Sequence, residues 1–327
     1  MALYCAPDAS LKSRGGIKIA AMKPPRRAPL PWQTPKAVED DPLTLQRLEA
    51  ITANASYLPG DADPVFMQRE ELRGERLELD YLKPELLLQA AGIEHSIVVF
   101  GSTRIVEPAA AQRRLDAALA AAAAAPGNAD LQRSAAIAAR LAARSPYYNI
   151  ARELGALVAR SNKDPRRGST VVMTGGGPGI MEAANRGAFD TQAHTVGLNI
   201  DLPHEQFPNP YITPGLCFRF HYFAMRKLHF MQRARALVAF PGGFGTLDEL
   251  FETLTLLQTR KMPAVPVVLV GESYWRRVID IPYMIGEGVI DAEDAELFWY
   301  AEDAPTIWRS IVAWYRRSGT PLFGHEG

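Results

Sequence analysis

The stretch Pro241-Gly242-Gly243-Phe244-Gly245-Thr246-Leu247-Asp248-Glu249 constrains the fold more than any other part of the chain. A short apolar run, residues 236–240, precedes it, and an amphipathic run, residues 250–257, follows it. That order reads as strand, glycine turn, helix. Residues without side chains let backbone N–H groups come close to an anion, and a helix start adds unpaired donors and a favourable dipole. Thr246 is placed to cap the helix and to offer its hydroxyl to the same anion. Glu249 is the odd member. A carboxylate in the first helical turn is stabilising whatever its function, yet here it would face a phosphate-sized pocket, which makes it a candidate for chemistry.

A second unit repeats the pattern. Residues 169–174 read as a buried strand, Gly175-Gly176-Gly177-Pro178-Gly179 as a turn, and residues 180–188 as a helix. Three glycines alone also suit a plain tight turn; two strand–glycine–helix units in one chain are much harder to ascribe to chance. A third, fainter unit runs from residues 96–100 directly into Gly101 and Ser102.

Candidate strands at 96–100, 170–174, 195–199, 236–240, 266–270 and 296–300 alternate with helical patterns. Such alternation predicts an α/β fold, a doubly wound parallel sheet with helices on both faces. Ligands then bind at the carboxyl ends of the strands, near the point where strand order reverses. Ahead of this region, residues 41–93 read as an added helical segment, and residues 108–125 and 131–144 as two alanine-rich helices. Alanine confers helix propensity with little bulk, so the pair reads as scaffold. Residues 147–160 read as a further helix. Residues 1–40 form a basic, proline-punctuated tail expected to be poorly ordered: residues 1–36 hold seven Lys or Arg against one acid, Asp8. Its prolines and lack of serine-rich amphipathic character favour a solvated tail over a transit peptide. Residues 319–327 read as a C-terminal tail.

The formal net charge is zero, so no global basic field recruits nucleic acid or a membrane surface, and anion binding must be local. Cys5 and Cys217 lie far apart, which fits a reducing compartment without a disulfide framework. No apolar run approaches the roughly 20 residues of a membrane span. The histidines at 95, 194, 204, 221, 229 and 325 form no ligand-spaced cluster, so no metal site is expected. A dehydrogenase reading fails because no GxGxxG follows the first strand with an acid ~20 residues later.

The segments GGGPGIMEAANRGA, Met225-Arg226-Lys227 and PGGFGTLDE together resemble the Lonely guy (LOG) family, over roughly residues 94–318 and in matching order. The resemblance implies a Rossmann-like nucleotide-binding domain and a phosphoribohydrolase. Such an enzyme hydrolyses the N-glycosidic bond of AMP or a modified adenine nucleotide to free base and ribose 5-phosphate. It implies Glu249 as the catalytic carboxylate and Arg226 as the functional arginine, with Met225 and Lys227 beside the substrate. The 5′-phosphate would rest on Gly242, Gly243, Gly245 and Thr246, with Gly101, Ser102, Gly175, Gly176 and Gly177 closing the site. No cofactor is implied. A homodimer or larger homo-oligomer is, in a cytoplasmic setting. Asp248 replaces the commoner glutamate of the double-acid motif, and GGGPGIME is the form of longer relatives, including bacterial enzymes that cleave purine and pyrimidine nucleotides. Non-catalytic carriers of molybdenum cofactor also resemble the family, so a nucleotide or cofactor carrier is the alternative. The family's lysine decarboxylase label finds no support, since neither Lys227 nor Lys261 has the context of a pyridoxal Schiff base.

Overall fold

The computed structural model describes residues 28, 30–161, 169–203, 207–320 and 322, so most of the basic tail and most of the C-terminal tail lie outside the described residues. The chain divides between Gln68 and Arg69 into two units. Among its described residues the first contains two helices, α1 (Thr44–Thr52) and α2 (Pro64–Met67), and three single 3-10 turns. Asp63 caps α2 by accepting from the N–H groups of Val65 and Phe66 at 2.9 and 3.0 Å.

In the second unit, strand β1 (Ile93–Phe100) shows why a sheet forms. Alternate side chains point to opposite faces, so Ile97 and Val99 enter one apolar core while Val98 and Phe100 enter another. The remaining strands are β2 (Ser169–Thr174), β3 (Thr195–Ile200), β4 (Cys217–Phe220), β5 (Ala234–Ala239), β6 (Val267–Val270) and β7 (Trp299–Ala301). They pair in the order β4-β3-β2-β1-β5-β6-β7, every neighbour parallel. The chain winds outward from β1 to β4, then crosses back to place β5 on the other side of β1. The reversal therefore falls between β1 and β5, and the crevice beyond their carboxyl ends is where a ligand is expected.

Helices cover both faces. One core receives Leu88 of α3 (Arg73–Ala90), Phe230 of α8 (Phe223–Gln232), Leu250 and Leu257 of α9 (Phe244–Gln258) and Trp275 of α10 (Glu272–Val278). The other receives Leu154 of α6 (Pro146–Ser161), Ala184 of α7 (Ile180–Phe189) and Ile307 of α12 (Ala304–Ser318). Helices α6 and α7 meet backbone to backbone: a Cβ on Gly187 would lie 1.8 Å from the Arg152 carbonyl oxygen. The alanine-rich residues form the expected helical pair, α4 (Pro108–Ala124) and α5 (Ala129–Arg144), with Asn128 capping α5. A short α11 (Ile281–Gly286) completes the set.

Four expectations are corrected. The helical segment read over 41–93 is not one body, because the unit boundary precedes α3, which packs with the sheet, and β1 already starts at Ile93. Strand β4 is missing from the sequence reading: it is four residues long and Arg219 interrupts its apolar pattern. The strand expected at 296–300 is a 3-10 turn, Ala292–Leu297, closed by an Asp291/Asp294 capping box, and only then β7. Finally, α9 begins at Phe244 with Gly243 as its cap, so Thr246 lies inside the first turn and Glu249 beyond it. No helix among the described residues is long and apolar enough to cross a membrane.

Candidate active site

A cavity of about 550 Å³ opens beyond the carboxyl ends of β1 and β5. Four strand ends contribute to it: Gly101, Ser102, Thr103 and Arg104 after β1, Gly175 after β2, Ile200 and Leu202 at and after β3, and Gly243, Phe244, Gly245 and Thr246 after β5. Helix α7 adds Met181, α8 adds Phe223, Arg226 and Phe230, and α9 adds Glu249. Both loops and the charged pair singled out from sequence thus meet in one place.

The turn after β5 keeps its donors free. The first intrahelical bonds run from the N–H groups of Thr246 and Leu247 to Gly243 O, each 3.0 Å. The N–H groups ahead of them, at the start of α9, remain available to an anion. Gly242 does not line the cavity. It backs the turn instead: a Cβ there would stand 2.1 Å from Thr246 Oγ1. Its carbonyl accepts the Tyr274 hydroxyl at 2.5 Å, which ties the turn to α10.

The loop after β2 is held by a buried polar network. Gly176 has φ +72, and a Cβ there would meet Asn199 Oδ1 at 1.9 Å, so no other residue fits. Thr174 Oγ1 accepts from Gly176 N at 3.0 Å and donates to Asn185 Oδ1 at 2.7 Å. Asn209 donates to the Gly177 carbonyl and to Asn185 Oδ1, at 3.1 and 2.9 Å. Of the three glycines expected to close the site, Gly175 reaches the cavity; Gly176 and Gly177 face this network.

Glu249 is 2% exposed and Arg226 14%. Arg226 Nη2 donates to Glu249 Oε1 at 3.2 Å, while Glu249 Oε2 is buried without a hydrogen-bond partner among the described residues. Burial pushes the Glu249 carboxyl up to about 7, and the opposing pull of Arg226 and Lys227 is smaller. Burial also lowers the Arg226 guanidinium, against the pull of Glu249; guanidinium is basic enough to stay charged all the same. Positions 223, 226 and 230 share one face of α8, so the guanidinium lies over the rings of Phe223 and Phe230, 5.0 and 5.7 Å from their centroids. That packing leaves it few ways to turn. The result is a carboxyl poised near neutrality, with one oxygen held and the other aimed at no protein group.

Met225 and Lys227, grouped with Arg226 in sequence, do not reach the cavity. Met225 packs against the apolar core. Lys227 Nζ bridges to Asp248 at 2.8 Å and Glu252 at 3.3 Å, joining α8 to α9. The sequence reading missed Thr103, Arg104, Phe223 and Phe230 as lining residues, and Tyr274, Asn185 and Asn209 behind the loops. Thr103 and Arg104 follow Gly101-Ser102 directly, a signal available in the sequence; Tyr274 had none. His229 is a core residue, with Nε2 3.1 Å from the Tyr81 carbonyl oxygen and its ring beside Phe220. Among the described residues no group of three or more His, Cys, Asp or Glu side chains is placed to hold a metal, and no lysine lines the cavity.

The sequence profile of the family described as "possible lysine decarboxylase" matches residues 181–311. LOG3 of Arabidopsis thaliana, a cytokinin riboside 5′-monophosphate phosphoribohydrolase, is 25% identical over 171 residues, covering 51% of this chain and 75% of LOG3. LOGL5 of Oryza sativa, a probable enzyme of the same name, is 33% identical over 96 residues, 29% of this chain; the chain spans only 38% of its length. Among solved structures, the X-ray structure of TM1055 is similar at a TM-score of 0.42 and 19% identity, covering 67% of this chain and 99% of that one.

Proposed function

We propose a function from one premise: the chain belongs to the Lonely guy (LOG) family, whose curated relatives carry the name of phosphoribohydrolases. The reading is hydrolysis of the N-glycosidic bond of a nucleoside 5′-monophosphate, AMP or a modified adenine nucleotide, to free base and ribose 5-phosphate. One observation carries it. Glu249 is a buried carboxyl with one oxygen held by Arg226 and the other unpartnered among the described residues, in a cavity edged by two glycine turns.

In this reading the 5′-phosphate rests on the free N–H groups at the start of α9. Binding there is remote from the bond that breaks and holds the ribose in a reactive pose. As the bond to the base stretches, C1′ gains positive character. The unpartnered Glu249 oxygen either faces that charge or takes a proton from the attacking water, as carboxylates do in glycoside hydrolysis. Arg226 keeps Glu249 oriented and favours its ionised form. A guanidinium gives up its proton too reluctantly for Arg226 to serve as proton donor to the departing base.

A panel of nucleoside 5′-monophosphates, each incubated with the protein and followed for released base by chromatography, tests the reading and ranks the bases. A carrier of the same fold would bind members of the panel and release none. We also propose a homodimer; light scattering at twice 35.9 kDa checks it.

A further inference from the structure

The cations of the cavity differ in what they have to do. Arg226 is engaged by Glu249, and the nearby Lys227 by Asp248 and Glu252. Arg104 lines the same cavity, is exposed, and has no ion-pair partner among the described residues. The carboxylates of its own segment and of facing α7 are already occupied: Glu107 pairs with Arg186, and Glu182 accepts the Tyr148 hydroxyl at 2.8 Å. An unpaired guanidinium at the mouth of a site with free N–H donors has room for one more anion.

Its backbone is fixed by both glycine turns. Ser102 N donates to Pro241 O at 3.0 Å, on the turn after β5, and Ile180 N donates to Ser102 O at 3.1 Å, at the end of the turn after β2. Gly179, with φ +74, lets that approach happen, since a Cβ there would lie 2.4 Å from Ser102 O. Arg104 N then donates to Ser102 Oγ at 3.1 Å, closing the loop into a compact turn. Segment 101–104 is a strap laid across the two turns, and Arg104 is its one charged member.

We propose that Arg104 is a substrate-binding residue whose guanidinium pairs with the ligand's phosphate, supplying the counter-charge that the glycine turns provide only as N–H dipoles. This rests on the nucleotide reading above and adds to it the group that distinguishes a nucleotide from a nucleoside. Guanidinium–phosphate pairing is charge-assisted and two-pronged, so lysine would replace it only in part.

The experiment is calorimetric titration of AMP and of adenosine into the wild type, Arg104→Ala, Arg104→Lys and Arg114→Ala, at low ionic strength, with melting temperatures recorded. Arg114 is an exposed cation of α4 that lines a smaller groove also bordered by Arg104 but not the main cavity, and serves as the control. Arg104→Ala is expected to weaken AMP binding about 10- to 100-fold, Arg104→Lys to recover part of it, and Arg114→Ala to bind as wild type. Adenosine binding and the melting temperature should not move. AMP affinity unchanged in Arg104→Ala, or lost to the same degree in Arg114→Ala, overturns the assignment while leaving the hydrolase reading intact. A wild type that binds no AMP overturns both.

Discussion

Arg226 holds one oxygen of Glu249 at 3.2 Å, and the other has no partner among the described residues. That asymmetry assigns different roles to the two residues. Replacing Glu249 by Gln keeps the shape and the bond to Arg226 but removes the negative charge. We expect Glu249→Gln to bind AMP nearly as the wild type does and to lose turnover by on the order of 10²–10⁴, measured as kcat beside a binding titration. Undiminished kcat would remove Glu249 from the mechanism.

Burial raises the Glu249 carboxyl to about 7. If the ionised form works, kcat must rise as pH increases through that value and level off above it. The same shift has a consequence for stability with the opposite sense. A carboxyl whose folded pKa lies above its unfolded value, 4.5 here, binds its proton more tightly when folded. Its contribution is therefore greatest in acid and is lost as pH climbs from the unfolded value to about 7. A kcat profile falling, rather than rising, through neutrality would point to the protonated acid as the working form.

Arg226→Ala removes the one side chain that, among the described residues, hydrogen-bonds the Glu249 carboxylate. Breaking one side of a mostly buried pair leaves an uncompensated charge, with a cost of about 3 kcal/mol. The variant should unfold at lower denaturant, and its pH–kcat inflection should move upward because Glu249 loses its counter-charge. A lower kcat with an unmoved inflection would mean that Arg226 acts on the substrate and not through Glu249.

Tyr274 touches no part of the cavity, yet its hydroxyl holds the Gly242 carbonyl at 2.5 Å. Tyr274→Phe should lower stability by about 1 kcal/mol and raise KM for AMP more than it lowers kcat, because the turn that meets the phosphate loosens. Equal effects on both substrate and nucleoside would make the contact merely structural.

The glycine turns were legible because their signal is local: strand, glycines and helix follow one another within about a dozen residues, and the parallel sheet, though not its strand order, follows from the alternation of strands and helices. The Glu249–Arg226 pairing was legible only through family resemblance, since 23 positions separate the two residues. Met225, Gly176 and Gly177 belong to the same motifs as lining residues, but helix pitch and turn geometry point them elsewhere, which the motif does not encode. Lys227 looked like a substrate contact because the carboxylates that occupy it, Asp248 and Glu252, lie on another helix. Phe223 and Tyr274 depend on contacts between distant segments, and β4 is too short to register as a run.

The most direct test of hydrolysis at Glu249 is the product balance from AMP. Wild-type protein should release adenine and ribose 5-phosphate in equal amounts, and Glu249→Gln close to none. AMP recovered intact after saturating incubation, or converted to adenosine and phosphate, would contradict it.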